Sequence, residues 1–447
     1  MALLPLLGGT LRIGVTGLAR AGKTAFLTSV ATNLLALGQG HPALPALAAR
    51  LGGRSLRVAV APAGAADLPR FDPAAHLASL AADPPRWPDR TGAVSLLALD
   101  LELGRTGFGF ALPPRTLRLE FLDYPGEWLL DLPLLTVRFA DWSAAVLRRL
   151  DAPEVAVEAH DFLGFAHGLP AGAAADETLA ATGHRLYRAL LQRLRARGLS
   201  LLQPGRFLMP APGPEPPWTA FFPMLGRGPL ADLLTRRFDA YVDAVRRDLS
   251  SPLFGNLDRV VVLADLLSPL HSGKLAFGDA QAALAEAAAA LRWQGDWWQM
   301  LAALARLELP PRSIRRVALA ATKADHVADR QRGNLAALMR DLTRLPAAGT
   351  IASASFAIAS VRCTEDFVWT LDGHPVSAVR GRRIGEATLT RSYPGEVPDR
   401  APDDAFWAHR FLALPAFEPV RPPGGGRAGI PQINLDALLA FLLEDVL

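Results

Sequence analysis

The run Gly17-Leu-Ala-Arg-Ala-Gly22-Lys23-Thr24 has the GxxxxGKT spacing that phosphate chemistry requires. Glycines let main-chain N–H groups curl around phosphate oxygens. Lys23 can reach the β- and γ-phosphates, and the Thr24 hydroxyl can ligate Mg²⁺. A helix starting here adds its positive end. Gly17, Arg20, Ala21, Gly22, Lys23, Thr24 and Ala25 therefore form the expected cradle. Arg20 could stabilise transition-state charge in cis, although such a side chain more often points outward. The plainer reading, an incidental Gly-rich turn, is disfavoured by a strand-like segment before the motif and a helical one after it.

A second candidate site closes an apolar strand, where Leu122-Asp123-Tyr-Pro-Gly126-Glu127 supplies Asp-x-x-Gly. Asp123 can hold Mg²⁺ through water, and the Gly126 N–H can sense a γ-phosphate. An ordinary turn would use the same residue types. Glu127 stands where a water-orienting glutamine is common; it can accept a proton but has no amide N–H to donate. Thr91, in the loop before the preceding hairpin strand, is the candidate to complete Mg²⁺ coordination. A third motif, Thr322-Lys323-Ala324-Asp325, is a variant of NKxD. The Asp325 carboxylate can accept from N1 and N2 of guanine, a donor pair adenine lacks. The Lys323 stem can lie over the base, and Thr322 replaces the usual Asn. Ser360 and Val361 fall where a loop N–H could meet the guanine O6. An ATPase would need Asp325 to point away from the base.

Lysine occurs only at Lys23, Lys274 and Lys323. Two of the three fall in these motifs, where a compact charge on a flexible stem does what arginine's planar fork cannot. Lys274, in His271-Ser-Gly-Lys274, lacks the first glycine of a second cradle and reads as loop. The nine histidines show no metal-ligand spacing beside the single cysteine, Cys363. No nucleophile elbow is evident.

The elements that must position these residues follow from apolar patterning. Strands are expected at 11–16, 95–103, 116–122, 259–264, 316–321 and 356–361, and helices at 23–37, 134–150, 173–197, 230–249, 334–345 and 434–447. Residues 280–307 read as an alanine-rich helix pair and 368–380 as a hairpin. The Pro-, Ala- and Gly-rich stretch 38–90 reads as irregular, with short helices. Strands alternating with helices imply a mostly parallel α/β sheet covered on both faces, with one antiparallel hairpin strand. The 447 residues carry 20% charged side chains and a net charge of +4, too small a surplus to point to nucleic acid. One cysteine excludes an internal disulfide and fits a reducing compartment. No uncharged apolar run reaches the roughly 18–20 residues that span a bilayer, and the N-terminus lacks a signal peptide's basic start. The expected location is cytoplasmic. Arginine-rich helix faces (Arg188, Arg193, Arg195, Arg197; Arg236, Arg237, Arg246, Arg247) read as solvated, or more sharply as a dock for an anionic surface at the inner membrane face or for a protein effector.

With RIGVTGLARAGKTAFLTS, DYPGEWLLDLPLL, RVVVLADLLSPL, TKAD, SVRCTED, LALPAFEPVRPP and LDALLAFLLEDVL in view, the whole chain resembles the YcjX-like family of bacterial P-loop GTPases linked to stress response. The resemblance implies a Ras-like core and GTP binding with slow hydrolysis at Gly17, Gly22, Lys23, Thr24, Asp123 and Asp325. It also implies a helical insertion. The expected organisation is a discontinuous nucleotide domain at 1–150 and 255–365, a helical insertion at 151–254, and a C-terminal extension at 366–447 packed on the core. The expected ligands are GTP or GDP and Mg²⁺. A nucleotide-responsive scaffold with little hydrolysis is the alternative, motivated by Glu127.

Overall fold

Short, mostly apolar runs such as Arg259–Ala264, buried at every position, form interior strands. In the computed structural model, which describes residues 8–61, 68–89, 94–105, 114–170, 172–210, 213–249, 257–292, 314–344, 351–371, 373–409 and 411–447, they join a seven-stranded sheet. Its strands are β1 (Gly8–Gly17), β2 (Leu56–Val60), β3 (Ser95–Leu103), β4 (Arg115–Asp123), β5 (Arg259–Ala264), β6 (Arg316–Ala321) and β7 (Ala352–Ala357). Their order is β2-β3-β4-β1-β5-β6-β7. Strands β4, β1, β5, β6 and β7 pair in parallel, and β3 is antiparallel to both of its neighbours, as expected for the one hairpin strand. Strand β2 lies within the stretch read as irregular. It is a short edge strand whose residues alternate between half-buried and exposed, too brief a pattern to stand out among prolines and glycines.

Period-2 alternation divides the strand residues between two faces. Ile13, Val15, Leu99, Leu119, Phe121, Val261, Leu263, Ala318 and Ala320 enter one core with helix α1 (Lys23–Gly38), whose Phe26, Leu27, Val30 and Leu34 are fully buried. Short helices α2 (Pro45–Leu51) and α3 (Pro73–Ala81) follow it.

The chain divides into two compact units. The first comprises Met1–Pro125, Asn256–Gly273 and Pro310–Leu447; the second comprises Gly126–Gly255 and Lys274–Leu309. Residues 126–150 and 274–309, assigned from sequence to the nucleotide domain, thus belong to the helical unit. Residues 366–447 belong to the sheet unit. In the second unit, Gly126–Thr136 winds as 3₁₀ turns around Pro133, shortening the helix expected from 134. Then come α4 (Phe139–Leu150), α5 (Ala156–Gly168), α6 (Glu177–Ala196) and α7 (Pro229–Leu249). Back in the first unit lies α8 (Leu267–Ser272), and in the second α9 (Lys274–Arg292). Lys274, expected in a loop, opens α9; the second helix of the expected alanine-rich pair lies outside the described residues. An aromatic cluster centred on Trp142, stacked on Phe238 with ring centroids 5.3 Å apart, fills the helical core.

The first unit is completed by α10 (Asp329–Thr343), a three-stranded sheet of β8 (Thr364–Leu371), β9 (His374–Arg382) and β10 (Leu389–Ser392), the short α11 (Asp404–Trp407) and α12 (Leu435–Leu443). Leu435, Leu438, Leu439, Leu442 and Leu443 of α12 are buried against the same sheet face as α1. Arg259, only 1% exposed, donates to the Leu442 carbonyl and pairs with Asp445 at 2.6 Å. No helix among the described residues is long and apolar enough to cross a membrane.

Candidate nucleotide site

Strand β1 delivers Gly17 against β5 so closely that a Cβ on Gly17 would sit 2.2 Å from the Leu263 carbonyl oxygen. That carbonyl accepts from the Leu18 N–H at 3.0 Å, which fixes the start of the loop. The loop then turns through two left-handed residues, Arg20 (φ 64°) and Gly22 (φ 81°), with the Ala21 N–H donating to the Leu18 carbonyl at 3.1 Å. Arg20 is exposed and Ala21 buried. Gly22 caps α1, and Lys23, Thr24 and Ala25 form its first turn, half-buried. A helix N-terminus directs main-chain N–H groups and a partial positive charge outward. A loop that tightens twice and then starts a buried helix is an arrangement that can hold an anion.

Asp123 ends β4, 2% exposed. The register places it beside Val15 of β1 on one side and Ser95 of β3 on the other. Its strand end therefore neighbours the segment that enters the cradle. Asp123 and the Thr24 hydroxyl are hard oxygen donors of the kind Mg²⁺ takes. Thr91, the proposed third donor, lies outside the described residues.

Gly126 and Glu127 follow directly in the chain but belong to the helical unit. Glu127 is buried, and its carboxylate accepts from Arg195 at 2.7 Å. A Cβ on Gly205 would lie 1.9 Å from the Glu127 carbonyl oxygen, so this turn packs directly against main chain. The next residues are held in the same unit. The Trp128 indole N–H donates to the Met209 carbonyl at 3.1 Å. Asp131, fully buried, accepts from the Gly205 N–H at 2.7 Å and the Tyr241 hydroxyl at 2.6 Å. Burial pushes the Asp131 carboxyl up to about 6 despite those bonds.

At the far side of β5, the neighbouring carbonyl holds the third motif. Ala264 accepts from the Thr322 N–H at 2.8 Å and from its hydroxyl at 3.3 Å. Gly17, Leu263 and Ala320 lie level across β1, β5 and β6. The cradle and the 322–325 loop thus leave the same sheet edge two strand spacings apart, about 10 Å. Lys323, left-handed at φ 61°, gives its ammonium to Asp265. Asp265, which the motif reading missed, also accepts from the Leu267 and Ser268 N–H groups at 3.1 Å each and so caps α8. The sequence signal was an acidic residue directly after an apolar strand, with a serine three positions on.

The Asp325 side chain is 98% buried, at 2% exposure. Its Oδ2 accepts from both the N–H and the thiol of Cys363, each at 2.8 Å. The Thr364 hydroxyl donates to the Asp325 carbonyl, and the Ala324 N–H donates to the Ile358 carbonyl at 3.0 Å. Val361 is buried in a small cluster with Leu80 and Ile430, and Ser360 is half-buried beside it. His326 brings Nε2 to 3.6 Å from the Cys363 sulfur, a pairing that no spacing in the sequence announced. Asp325, His326 and Cys363 offer ligand atoms within 4.8 Å of one another. Burial lowers the imidazole and raises the thiol, keeping both neutral, and hydrogen bonds already join the three. The cluster reads as a hydrogen-bonded network.

The arginine-rich faces carry their own counter-charges within the helical unit. Arg188 pairs with Glu215 at 2.6 Å, Arg197 with Glu158 at 2.9 Å, and Arg246 with Asp243 at 2.6 Å; Arg237 is buried against Glu177.

Comparison with known proteins matches the YcjX-like family to residues 11–447. The chain belongs to that family. It is 35% identical over 460 residues to a protein of Escherichia coli K12 named "Ras-like GTPase YcjX", covering 98% of this chain and 96% of that protein. It is 30% identical over 467 residues to the protein of that name from Shewanella oneidensis, covering 98% and 94%. The YcjX-like sheet described above, parallel but for β3 and flanked by helices, has the α/β architecture expected of a Ras-like core.

Proposed function

We propose that this chain binds guanine nucleotides with Mg²⁺ and hydrolyses GTP slowly as a regulatory switch in a stress-related process. The observation carrying the reading is that two successive carbonyls of β5 anchor both loops. Leu263 holds the start of the cradle and Ala264 holds Thr322. One strand thereby sets a fixed distance between a phosphate-shaped loop and a carboxylate suited to guanine. In this reading the 17–25 loop and first turn cradle the phosphates, with Lys23 neutralising the β- and γ-groups. Thr24, Asp123 and Thr91 would hold the metal, which would neutralise developing phosphate charge when bound. Lys323, oriented by Asp265, covers the base, and Asp325 reads N1 and N2. Gly126 would report the γ-phosphate, while Ser360 and Val361 line the loop nearest O6. The family names of the relatives support the guanine assignment.

Titration of the purified protein with GDP, GTP, ADP and ATP tests the proposal. Guanine nucleotides should bind at least a hundredfold more tightly than adenine nucleotides, and Lys23→Ala should abolish binding. Equal affinity for ATP would end the specificity reading. A second reading, a scaffold that binds GTP with little turnover, is favoured by the Glu127–Arg195 pair, which occupies the carboxylate at the position usual for a water-orienting group. Single-turnover hydrolysis distinguishes the two.

A further inference from the structure

We infer that Cys363 is a positioning residue that sets the preference for guanine by holding the Asp325 carboxylate in place. The inference rests on reading residues 322–325 as the base-recognition loop. A carboxylate that must accept two parallel bonds from a base edge works only if its plane is fixed before the base arrives. Asp325 is buried at the end of a loop, where its own side-chain torsions would otherwise be free to turn. Cys363 removes that freedom with two donors from one residue. The main-chain N–H and the thiol both reach Oδ2 at 2.8 Å. Two bonds converging on Oδ2 leave the two lone pairs of Oδ1 as the remaining acceptor capacity, one for each of the two donors on a guanine edge.

The rest of the network favours the thiol as donor. Cys363 is 3% exposed, so its sulfur has no solvent to turn to. His326 Nε2 lies 3.6 Å from the same sulfur, and the Thr364 hydroxyl donates to the Asp325 carbonyl from the adjoining position. Farther along, Arg332 donates to the Ala324 carbonyl at 3.0 Å and clamps Asp366 at 2.8 Å. The 324–325 turn is thus tied to the 358–366 segment on both sides, and Cys363 supplies both hydrogen bonds that hold the carboxylate itself.

The test compares GDP with IDP, whose hypoxanthine lacks the N2 donor, and with ADP. The wild type should bind GDP best. Cys363→Ala keeps the main-chain bond but loses the thiol, so the ratio of the IDP to the GDP dissociation constant should fall about tenfold or more, the worth of one hydrogen bond to a charged acceptor. Cys363→Val, which fills the volume without a donor, should behave the same way and serves if the alanine variant folds poorly. Cys363→Ser restores an O–H donor and should restore the ratio. A general loosening of the fold would weaken GDP and IDP alike and leave the ratio unchanged. Folded alanine and valine variants with the wild-type ratio would overturn the inference while leaving the guanine reading intact. A wild type that does not discriminate GDP from ADP would instead sink the reading of the loop itself.

Discussion

Gly17 and Gly22 look equivalent in the motif, but they are constrained for different reasons. A methyl group at Gly17 would collide with the Leu263 carbonyl, whereas Gly22 has no atom within 4 Å of its would-be Cβ and needs only its left-handed φ. Gly17→Ala should therefore destabilise the protein by about 2–4 kcal/mol, and Gly22→Ala by about 1 kcal/mol. Denaturant unfolding of the two variants gives the order, and a larger loss at Gly22 would contradict the close approach. Asp265→Asn keeps acceptors for the α8 cap but removes the charge facing Lys323. GDP affinity should fall about tenfold with little change in melting temperature, read by calorimetric titration and thermal scans. The phosphate and base motifs were legible in the sequence because their spacing is local. Asp265 and Cys363 were not, because their partners lie 58 and 38 positions away and only the fold brings them together.

Buried strands β1, β5 and β6 were readable as short apolar runs, since an interior parallel strand has no polar face to disguise it. β2 was not, being an edge strand with an alternating pattern only five residues long. The 3₁₀ turns at 126–136 also escaped, because Pro133 and the buried Asp131 interrupt a helical pattern for reasons set by tertiary partners. Asp131 makes this element pH-sensitive. Its carboxyl is raised from 3.8 in the unfolded chain to about 6 in the fold, so the folded state binds the extra proton. The associated stability is present below about pH 4 and is lost as pH rises through about 6. Asp131→Asn cannot ionise and should lose nothing over that interval. The stability of the variant relative to wild type should rise between pH 5 and 7.5, by up to about 2 kcal/mol. A pH-independent difference in urea unfolding would show that Asp131 titrates normally. Gly205→Ala, which drives a methyl into the Glu127 carbonyl, should increase hydrogen exchange along 126–136.

At the scale of the molecule, the chain passes from one unit to the other four times, at 125/126, 255/256, 273/274 and 309/310. The sequence showed one helical block between two α/β blocks. It did not show that 274–309 returns to the helical unit, since an alanine-rich helix suits either side. Because the proposed ligand gathers loops from residues 17–25, 123, 322–325 and 358–364, it should act on the whole sheet unit at once. GDP at a hundred times its dissociation constant should add about 2.7 kcal/mol of stability, and amide protection should rise in those loops together, with no such response to ADP. Helix α12 carries one more consequence. It is translated after every strand whose apolar face it covers, and the buried guanidinium of Arg259 finds the Leu442 carbonyl and the Asp445 carboxylate there. While the ribosome still holds those residues, Leu263 and Ala320 have greasy neighbours missing and the Arg259 charge lacks its Asp445 ion pair. A message broken shortly before codon 435 would therefore yield a product with all its nucleotide motifs intact and no stable sheet to mount them on, a natural target for cellular proteolysis.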